Sequence, residues 1–321
     1  MDIKQIEQAS PDLFQVLAEH TVQKSLFKRY VNSVVIELAD YCNRVCDYCP
    51  VSLTDRRSAV NRMDPDHFAK ILDNLSEINY DRDICLNLFN EPLADDGIYD
   101  AIRALNKAAP KSFVWFSSNG DYVKKKTLDQ LADAGLRRLV VTLHTEPGHK
   151  YDDLERLSRY SQFSARTGVN LTFDKYKPGQ KIVATGTYKG IRLSVKAANF
   201  SDNGENRGGL MVDIPVEKIR TEPCDRPFDD LTISWNGNVY PCCMFFAGSS
   251  DHDDFVVGNV GDSDSLFALY TSQLMASFRQ DLFSHGPKMS PCDTCTEYCL
   301  AEGPEHERAR AIRFHGLQAA E

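Results

Sequence analysis

Cys42, Cys46 and Cys49 stand in the spacing C-x3-C-x2-C within Tyr41-Cys42-Asn43-Arg44-Val45-Cys46-Asp47-Tyr48-Cys49-Pro50, directly after the apolar run Val34-Val35-Ile36-Glu37-Leu38. A loop that follows a strand can wrap a small inorganic core and turn its backbone N–H groups toward the core's sulfurs. Three thiolates fall one short of the closed tetrahedral set that structural zinc takes. On a cubic iron–sulfur cluster the same three leave one iron open to bind something else, and an open iron is a reactive one. The alternatives are a zinc site completed by a distant residue, or three unrelated core cysteines.

A second group, Cys224, Cys242, Cys243, Cys292, Cys295 and Cys299, lies in the last third of the chain. Cys224 precedes one strand-like run, Gly237-x4-Cys242 puts a thiol just past the returning run, and Cys292-x2-Cys295 supplies a compact pair from a distant loop. Cys224, Cys242, Cys292 and Cys295 can converge as metal ligands, and spacing alone suits a structural zinc as well as a [4Fe-4S] cluster. Cys243 and Cys299 are left over. Cys85 falls mid-strand and reads as core.

These thiols need elements to carry them. After a short helical lead-in over 1–31, in which Leu13, Val16 and Leu17 fall at helical spacing, apolar runs recur at 34–38, 84–88, 113–116, 139–143 and 169–173, and a sixth strand is placed at 191–195. Helix-compatible stretches separate them at 65–75, 97–107, 124–134 and 151–167. Near-continuous apolar strands alternating with amphipathic helices predict a parallel sheet covered by helices, with the chemistry on loops at the C-terminal strand ends. By that logic Thr142 and His144, which end the fourth strand, face the mouth. The polar, Gly-rich segment 199–209 breaks the pattern, and Asn236-Gly237 between two further runs signals a hairpin. The expected organisation is a lead-in (1–31), a barrel-like unit (32–215), a small cysteine-rich α+β unit (216–303) and a charged tail (304–321).

The composition is that of a folded globular protein: 42% hydrophobic, 26% charged and 10% aromatic. Thirty-seven basic against 46 acidic residues give a net charge of −9, a poor match to a nucleic-acid backbone. No apolar run approaches the roughly 18 residues that span a bilayer. The N-terminus lacks a basic region followed by an apolar one. A cytoplasmic setting is therefore expected, where clustered thiols hold metal more often than they form disulfides.

The cysteine spacing after the first strand resembles that of the radical S-adenosylmethionine enzymes. The resemblance implies a partial (β/α)6 barrel and a first [4Fe-4S] cluster on Cys42, Cys46 and Cys49. Its open iron would chelate the amino and carboxylate groups of S-adenosylmethionine, whose one-electron reduction releases a 5′-deoxyadenosyl radical. Asn90-Glu91-Pro92 stands where the family carries Gly-Gly-Glu-Pro to receive the methionine amino group. Glu-Pro is kept, while Phe89 and Asn90 replace both glycines. Ser118-Asn119-Gly120 is similar to the family's Thr-Asn-Gly turn near the cofactor, and Thr142 joins that cofactor-binding set.

The second group, with Gly258-Asn259-Val260, resembles the SPASM/twitch extension that binds auxiliary [4Fe-4S] clusters. Full SPASM domains use seven or more cysteines, so six here imply one auxiliary cluster and two clusters in all. Arg207, in Asn206-Arg207-Gly208-Gly209, matches an Asn-Arg-x-Gly segment of this branch and is with His144 a candidate for the substrate. The family implies a one-electron donor such as flavodoxin or ferredoxin. The expected activity is oxidation of a small polar metabolite, a sugar or an aminocyclitol, with the auxiliary cluster as electron acceptor. Three readings stand beside it: an epimerase in which Cys243 donates a hydrogen atom, a peptide-modifying maturase, and a non-catalytic cluster- or zinc-binding module.

Overall fold

In the computed structural model, residues 11–146 and 148–297 are described, so Cys299 and the charged tail lie outside the described residues. Ten strands form one mixed sheet in the order β10-β9-β8-β1-β2-β3-β4-β7-β6-β5. Its centre is six strands in parallel: β8 (Asp230–Ile233), β1 (Ser33–Ile36), β2 (Asp83–Cys85), β3 (Phe113–Ser118), β4 (Arg138–Thr142) and β7 (Ile191–Ala198). This is a partial barrel of the expected class.

The crossovers are amphipathic helices: α2 (Pro65–Glu77), α3 (Gly97–Ala108), α4 (Lys125–Ala134) and α5 (Asp153–Thr167), after α1 (His20–Tyr30) from the lead-in. Their ends follow local chemistry. Asp64 caps α2 by accepting from Asp66 N at 2.8 Å, with Pro65 at the first helical position, and Asp152 caps α5 by accepting from Glu155 N at 2.8 Å. Gly135 and Gly168 end α4 and α5 in the left-handed region.

Alternation along the strands divides their side chains between two faces. Val34, Ile84, Val114, Leu139, Leu193 and Val195 belong to one buried apolar core with Leu75, Leu105, Leu131 and Phe163 of the helices. The opposite face carries Val35, Cys85, Trp115 and Arg138 in one register row, and Thr142 beside Lys196 nearer the C-terminal strand ends.

The fifth strand departs from expectation. Val169 is buried, but the strand runs over Thr172–Lys177, is exposed throughout and pairs antiparallel with β6 (Lys181–Tyr188), which in turn pairs antiparallel with β7. Two signals explain it. Pro178-Gly179 reverses the chain, and Lys189-Gly190, both at positive φ, joins Tyr188 to its partner Ile191, the two-residue hairpin geometry that suits twisted strands. The lead-in also differs: a 3-10 turn covers only Pro11–Phe14, burying Leu13 and leaving Val16 exposed.

The hairpin at Asn236-Gly237 is present as β8 and β9 (Asn238–Tyr240), antiparallel, followed by β10 (Gly258–Asn259) and the helix α6 (Gln273–Leu282). β8 pairs in parallel with β1, so strands from both sides of residue 215 belong to the same sheet.

A buried ion pair locks this junction. Glu37 Oε1 accepts from Arg56 Nη1 at 2.8 Å and from Phe89 N at 3.1 Å, and its Oε2 accepts from Ser234 Oγ at 2.9 Å. Arg56 also donates to Ala247 O at 2.9 Å and lies 4.3 Å over the Phe246 ring. Both side chains are at most 4% exposed. Removing one partner of such a pair leaves a charge in low dielectric, so Arg56→Met is expected to cost about 3–5 kcal/mol of stability, read as a lowered denaturant midpoint.

Candidate functional site

The cysteine loop begins where β1 ends. Cys49 N donates to Cys46 O at 2.9 Å, and Ser52 holds Cys49 O through both its N (2.9 Å) and its Oγ (2.8 Å). Cys42 and Cys49 pack against Val51, Phe89, Leu210 and Phe246. Burial pushes the Cys42 thiol up to about 12 and the Cys46 thiol up to about 11, and repulsion among the three sulfurs adds to the rise. Bare, these groups hold their protons. As thiolates they call for a cationic core, which iron supplies.

The loop is clamped from outside the motif. Arg44 makes a two-armed contact with Asp121, Nε to Oδ2 and Nη2 to Oδ1, both 2.7 Å, and its Nη1 reaches Glu146 Oε2 at 3.5 Å. Asn43 donates to Asp121 Oδ2 at 2.8 Å and accepts from Asn119 Nδ2 at 2.7 Å. Arg159 holds Glu146 at 2.9 Å. The ends of β3 and β4 thus grip the segment between Cys42 and Cys46.

The structure brings Glu91, Ser118 and Asn119 together, with Asn90 and Pro92 flanking Glu91 in the same turn. Glu91 is 3% exposed; its Oε1 accepts from Ser118 Oγ (2.9 Å) and Leu93 N (3.1 Å), and its Oε2 from Asn119 N (2.7 Å). Burial raises its carboxyl to about 7 in spite of these donors. Glu91 N donates to Tyr41 O at 2.9 Å, and Asn90 Oδ1 accepts from Leu88 N at 3.2 Å. Glu91 is therefore a pin joining the Glu-Pro turn, the Ser-Asn-Gly turn and the cysteine loop. Gly120 is required in that turn, at φ 82°, because a Cβ there would meet Val141 Cγ1 at 2.8 Å.

His144 lies against the cysteine loop. Its Nδ1 is 2.6 Å from Tyr48 Oη, and its ring stacks with those of Tyr48 and Phe200, which are 4.6 Å apart. Burial, then Arg44, brings its pKa down to about 3, so the imidazole is neutral and shares a hydrogen bond with the Tyr48 hydroxyl, which also reaches Cys46. Thr142 is buried beside Lys196 in register. Tyr48, Phe200 and Lys196 were not identified from sequence. Tyr48 stands inside the cysteine motif, and Lys196 directly follows the predicted sixth strand.

Arg207 sits between the two cysteine groups, at φ 50°, with Nη1 2.8 Å from Glu205 and 3.8 Å from Met244 Sδ, and with Cys49 and Cys243 in electrostatic reach. Its neighbours explain the Asn-Arg-x-Gly pattern. Asn206 N donates to Thr296 Oγ1 and Asn206 Nδ2 to Thr294 O, both 2.8 Å, tying this segment to the loop of Cys292 and Cys295. Gly208, at φ 61°, faces His252: its carbonyl is 3.0 Å from Nε2, and a Cβ would meet the same atom at 3.0 Å.

Cys224, Cys242, Cys292 and Cys295 line one cavity, walled by Phe245, Phe278, Leu282 and prolines. Burial raises Cys242 well above the ordinary thiol range and Cys292 to about 12. Among the described residues, no three Cys, His, Asp or Glu side chains close on one point as a single metal ion requires. Four thiols around a cavity is the arrangement in which each binds its own iron. Cys243 is absent from that lining and stands near Arg226, Asp230 and Arg207. Cys85 is buried, with Sγ against Asn87. Both thiol sets thus fit iron–sulfur cores: cysteine donors, partly to fully buried, with backbone N–H groups of Arg44, Val51 and Met244 on Cys42, Cys49 and Cys242.

Comparison with known proteins agrees. Residues 36–163 match the model of the Radical SAM superfamily and residues 224–296 that of an iron–sulfur cluster-binding domain, SPASM. The S-adenosyl-L-methionine-dependent 2-deoxy-scyllo-inosamine dehydrogenase of Niallia circulans is 25% identical over 275 residues, 85% of this chain and 96% of that protein. The structure of BtrN with AdoMet and 2-DOIA superposes with a TM-score of 0.60 at 21% identity, covering 83% of this chain and 93% of the other. BtrN in an open conformation gives 0.55 at 19%, covering 83% and 92%. Cysteine spacing, the partial barrel, the four-thiol cavity and both family models converge, and the chain belongs to the radical S-adenosylmethionine superfamily, in the branch that carries a SPASM/twitch domain.

Proposed function

We propose that the chain oxidises an alcohol carbon of a small polyhydroxylated amine of the aminocyclitol class to a ketone, with one [4Fe-4S] cluster on Cys42, Cys46 and Cys49 and a second on Cys224, Cys242, Cys292 and Cys295. The observation that carries this reading is the ring of four thiols around one cavity, in a chain whose relative over 85% of its length is named a 2-deoxy-scyllo-inosamine dehydrogenase. When bound, S-adenosylmethionine and the first cluster supply the hydrogen-abstracting radical, and the second cluster accepts the remaining electron.

The chain's own residues do the positioning. Arg44, Asp121 and Glu91 hold the cysteine loop against the Ser118-Asn119 turn. Tyr48, His144 and Phe200 form an apolar wall beside that loop. Arg207, with Glu205, lies between the cluster sites and is the group we assign to substrate hydroxyls. In sequence the cluster-binding part begins near residue 215, but β8 returns from it into the barrel's sheet. The radical chemistry also calls for a one-electron donor of the flavodoxin or ferredoxin class.

The test is anaerobic incubation of the reconstituted protein with S-adenosylmethionine, dithionite and 2-deoxy-scyllo-inosamine. Ketone and 5′-deoxyadenosine formed one to one support the reading. 5′-Deoxyadenosine without ketone from any aminocyclitol overturns the substrate class, and no 5′-deoxyadenosine from cluster-loaded protein would favour a carrier module. A second reading, epimerisation, is favoured by the position of Cys243 outside the cluster cavity and near Arg207. Cys243→Ala separates the two: a dehydrogenase keeps ketone formation within about twofold, while an epimerase loses turnover and still abstracts hydrogen.

A further inference from the structure

Removing a hydrogen atom from a carbinol carbon leaves an O–H proton that must also depart, and the groups facing the Arg207 site differ in their freedom to take it. Glu205 is bound to Arg207 at 2.8 Å and touches Glu297. Arg226 is bound to Asp230 (2.8 Å) and Glu297 (2.6 Å). The Nδ1 of His144 is taken by Tyr48. Lys196 is different: among the described residues its Nζ makes no hydrogen bond and no ion pair, although the side chain is half-buried.

Its placement follows from register. Lys196 lies toward the C-terminal end of the parallel strand β7, directly opposite Thr142 on β4, and its carbonyl accepts from Leu143 N at 2.8 Å. Ile191, Leu193, Val195 and Ala197 of the same strand are in the core, so alternation turns Lys196 to the other face. Its Nζ is not among the buried atoms that lack a partner, so the amine stays open on that face of the sheet, held by no other described side chain.

We propose that Lys196 Nζ is the proton acceptor for the substrate hydroxyl at the carbon being oxidised. The proposal rests on the dehydrogenase reading above. The C–H hydrogen atom leaves to the deoxyadenosyl group that S-adenosylmethionine supplies, and the O–H bond breaks with its proton passing to the neutral amine. The C=O bond then forms as the remaining electron goes to the oxidised second cluster. Burial, then Lys181 on β6, lowers the lysine's pKa and so favours the neutral amine that the step needs, with Arg207 acting in the same direction and Glu205 opposing. His144, also within electrostatic reach, is uncharged. Lowering pH through the Lys196 pKa protonates the amine, so ketone formation falls on the acid side.

The experiment compares cluster-loaded wild type with Lys196→Ala and Lys196→Arg, using 2-deoxy-scyllo-inosamine as probe. We expect Lys196→Ala to bind S-adenosylmethionine within about twofold of wild type and to lose about 10²–10⁴-fold in ketone formation. The 5′-deoxyadenosine to ketone ratio rises, methylamine partly restores the ketone, and Lys196→Arg stays inactive. A fall in S-adenosylmethionine affinity would instead make Lys196 a cofactor ligand, and unchanged ketone formation would remove it from the reaction. Competitive acetylation of wild type across pH, read by peptide mass spectrometry, decides independently of the probe: titration of Lys196 together with the surface lysines overturns the proposal. If wild type abstracts no hydrogen from the probe, the substrate class falls, and the acetylation result alone judges Lys196.

Discussion

Replacing Cys42, Cys46 and Cys49 together by alanine ends 5′-deoxyadenosine formation down to the protein-free background and lowers reconstituted iron from about eight to about four per chain. The effect is specific because the loop is held mainly by bonds that involve no sulfur, although Cys42 and Cys49 also pack against Val51, Phe89, Leu210 and Phe246. Arg44 and Asn43 bind Asp121, Asn119 binds Asn43, and Arg56 binds Glu37, all without a sulfur. The variant is therefore expected to stay folded without metal, with an unfolding midpoint lowered only by the packing that Cys42 and Cys49 give up, and the loss of chemistry traces to the missing ligands. Iron and acid-labile sulfide, measured beside mass-spectrometric detection of 5′-deoxyadenosine, check both halves. Iron falling from about four to none would mean that the second group of thiols holds zinc or nothing, and an electron acceptor there would have to be given up.

The double change Cys292→Ala with Cys295→Ala is expected to do the converse. About four irons remain, 5′-deoxyadenosine still forms, and ketone drops by about 100-fold or more, because the substrate radical has no acceptor for its last electron. One structural link requires a control. The loop of Cys292 and Cys295 is tied through Thr294 and Thr296 to Asn206, next to Arg207. Thr296→Val cuts one of those bonds while leaving every cysteine in place. Full iron with a modest rise in KM in that variant would show that the double cysteine change acts through electron transfer and not through a displaced arginine. Ketone formation that survives the double change would sink the role given to the second cluster.

What the sequence made legible follows from range. C-x3-C-x2-C, the Glu-Pro and Ser-Asn-Gly turns and Cys292-x2-Cys295 are local words, and the apolar runs of β1 to β4 are local too. Asn236-Gly237 announced its hairpin because Gly237 takes φ 83°. The fifth strand was expected too early, at 169–173, because the apolar run lies there while Asp174, Lys175 and Lys177 of β5 are polar and exposed, and β6 was missed although its Ile182 and Ala184 are buried. Pairing between distant segments was equally hidden: Glu37 with Ser234, and Arg56 with Ala247, lie about 190 residues apart, and no spacing rule joins them. Glu91 is the instructive middle case. Its position and its local bond from Leu93 N were legible, but its bonds from Ser118 and Asn119 depend on where β3 ends, which only the folded sheet determines. Lys196 was one residue past a correctly placed strand, and strand alternation would have found it.

The seam between β1 and β8 has a consequence for anyone who cuts the gene. Backbone pairing from Ser33–Asp230 through Ile36–Ile233 means that a fragment stopping at residue 215 exposes the flank of β1 as a bare row of N–H and C=O groups, flanked by the emptied seat of Ser234 on Glu37. Such a row recruits any passing strand, so the truncated barrel should be recovered as aggregate. The same stitching would hold a cluster bound by the second thiol set in fixed register with β1. The distance an electron would cross from substrate to such a cluster would then be set by the sheet, and exchange of linker lengths around residue 215 should leave it untouched.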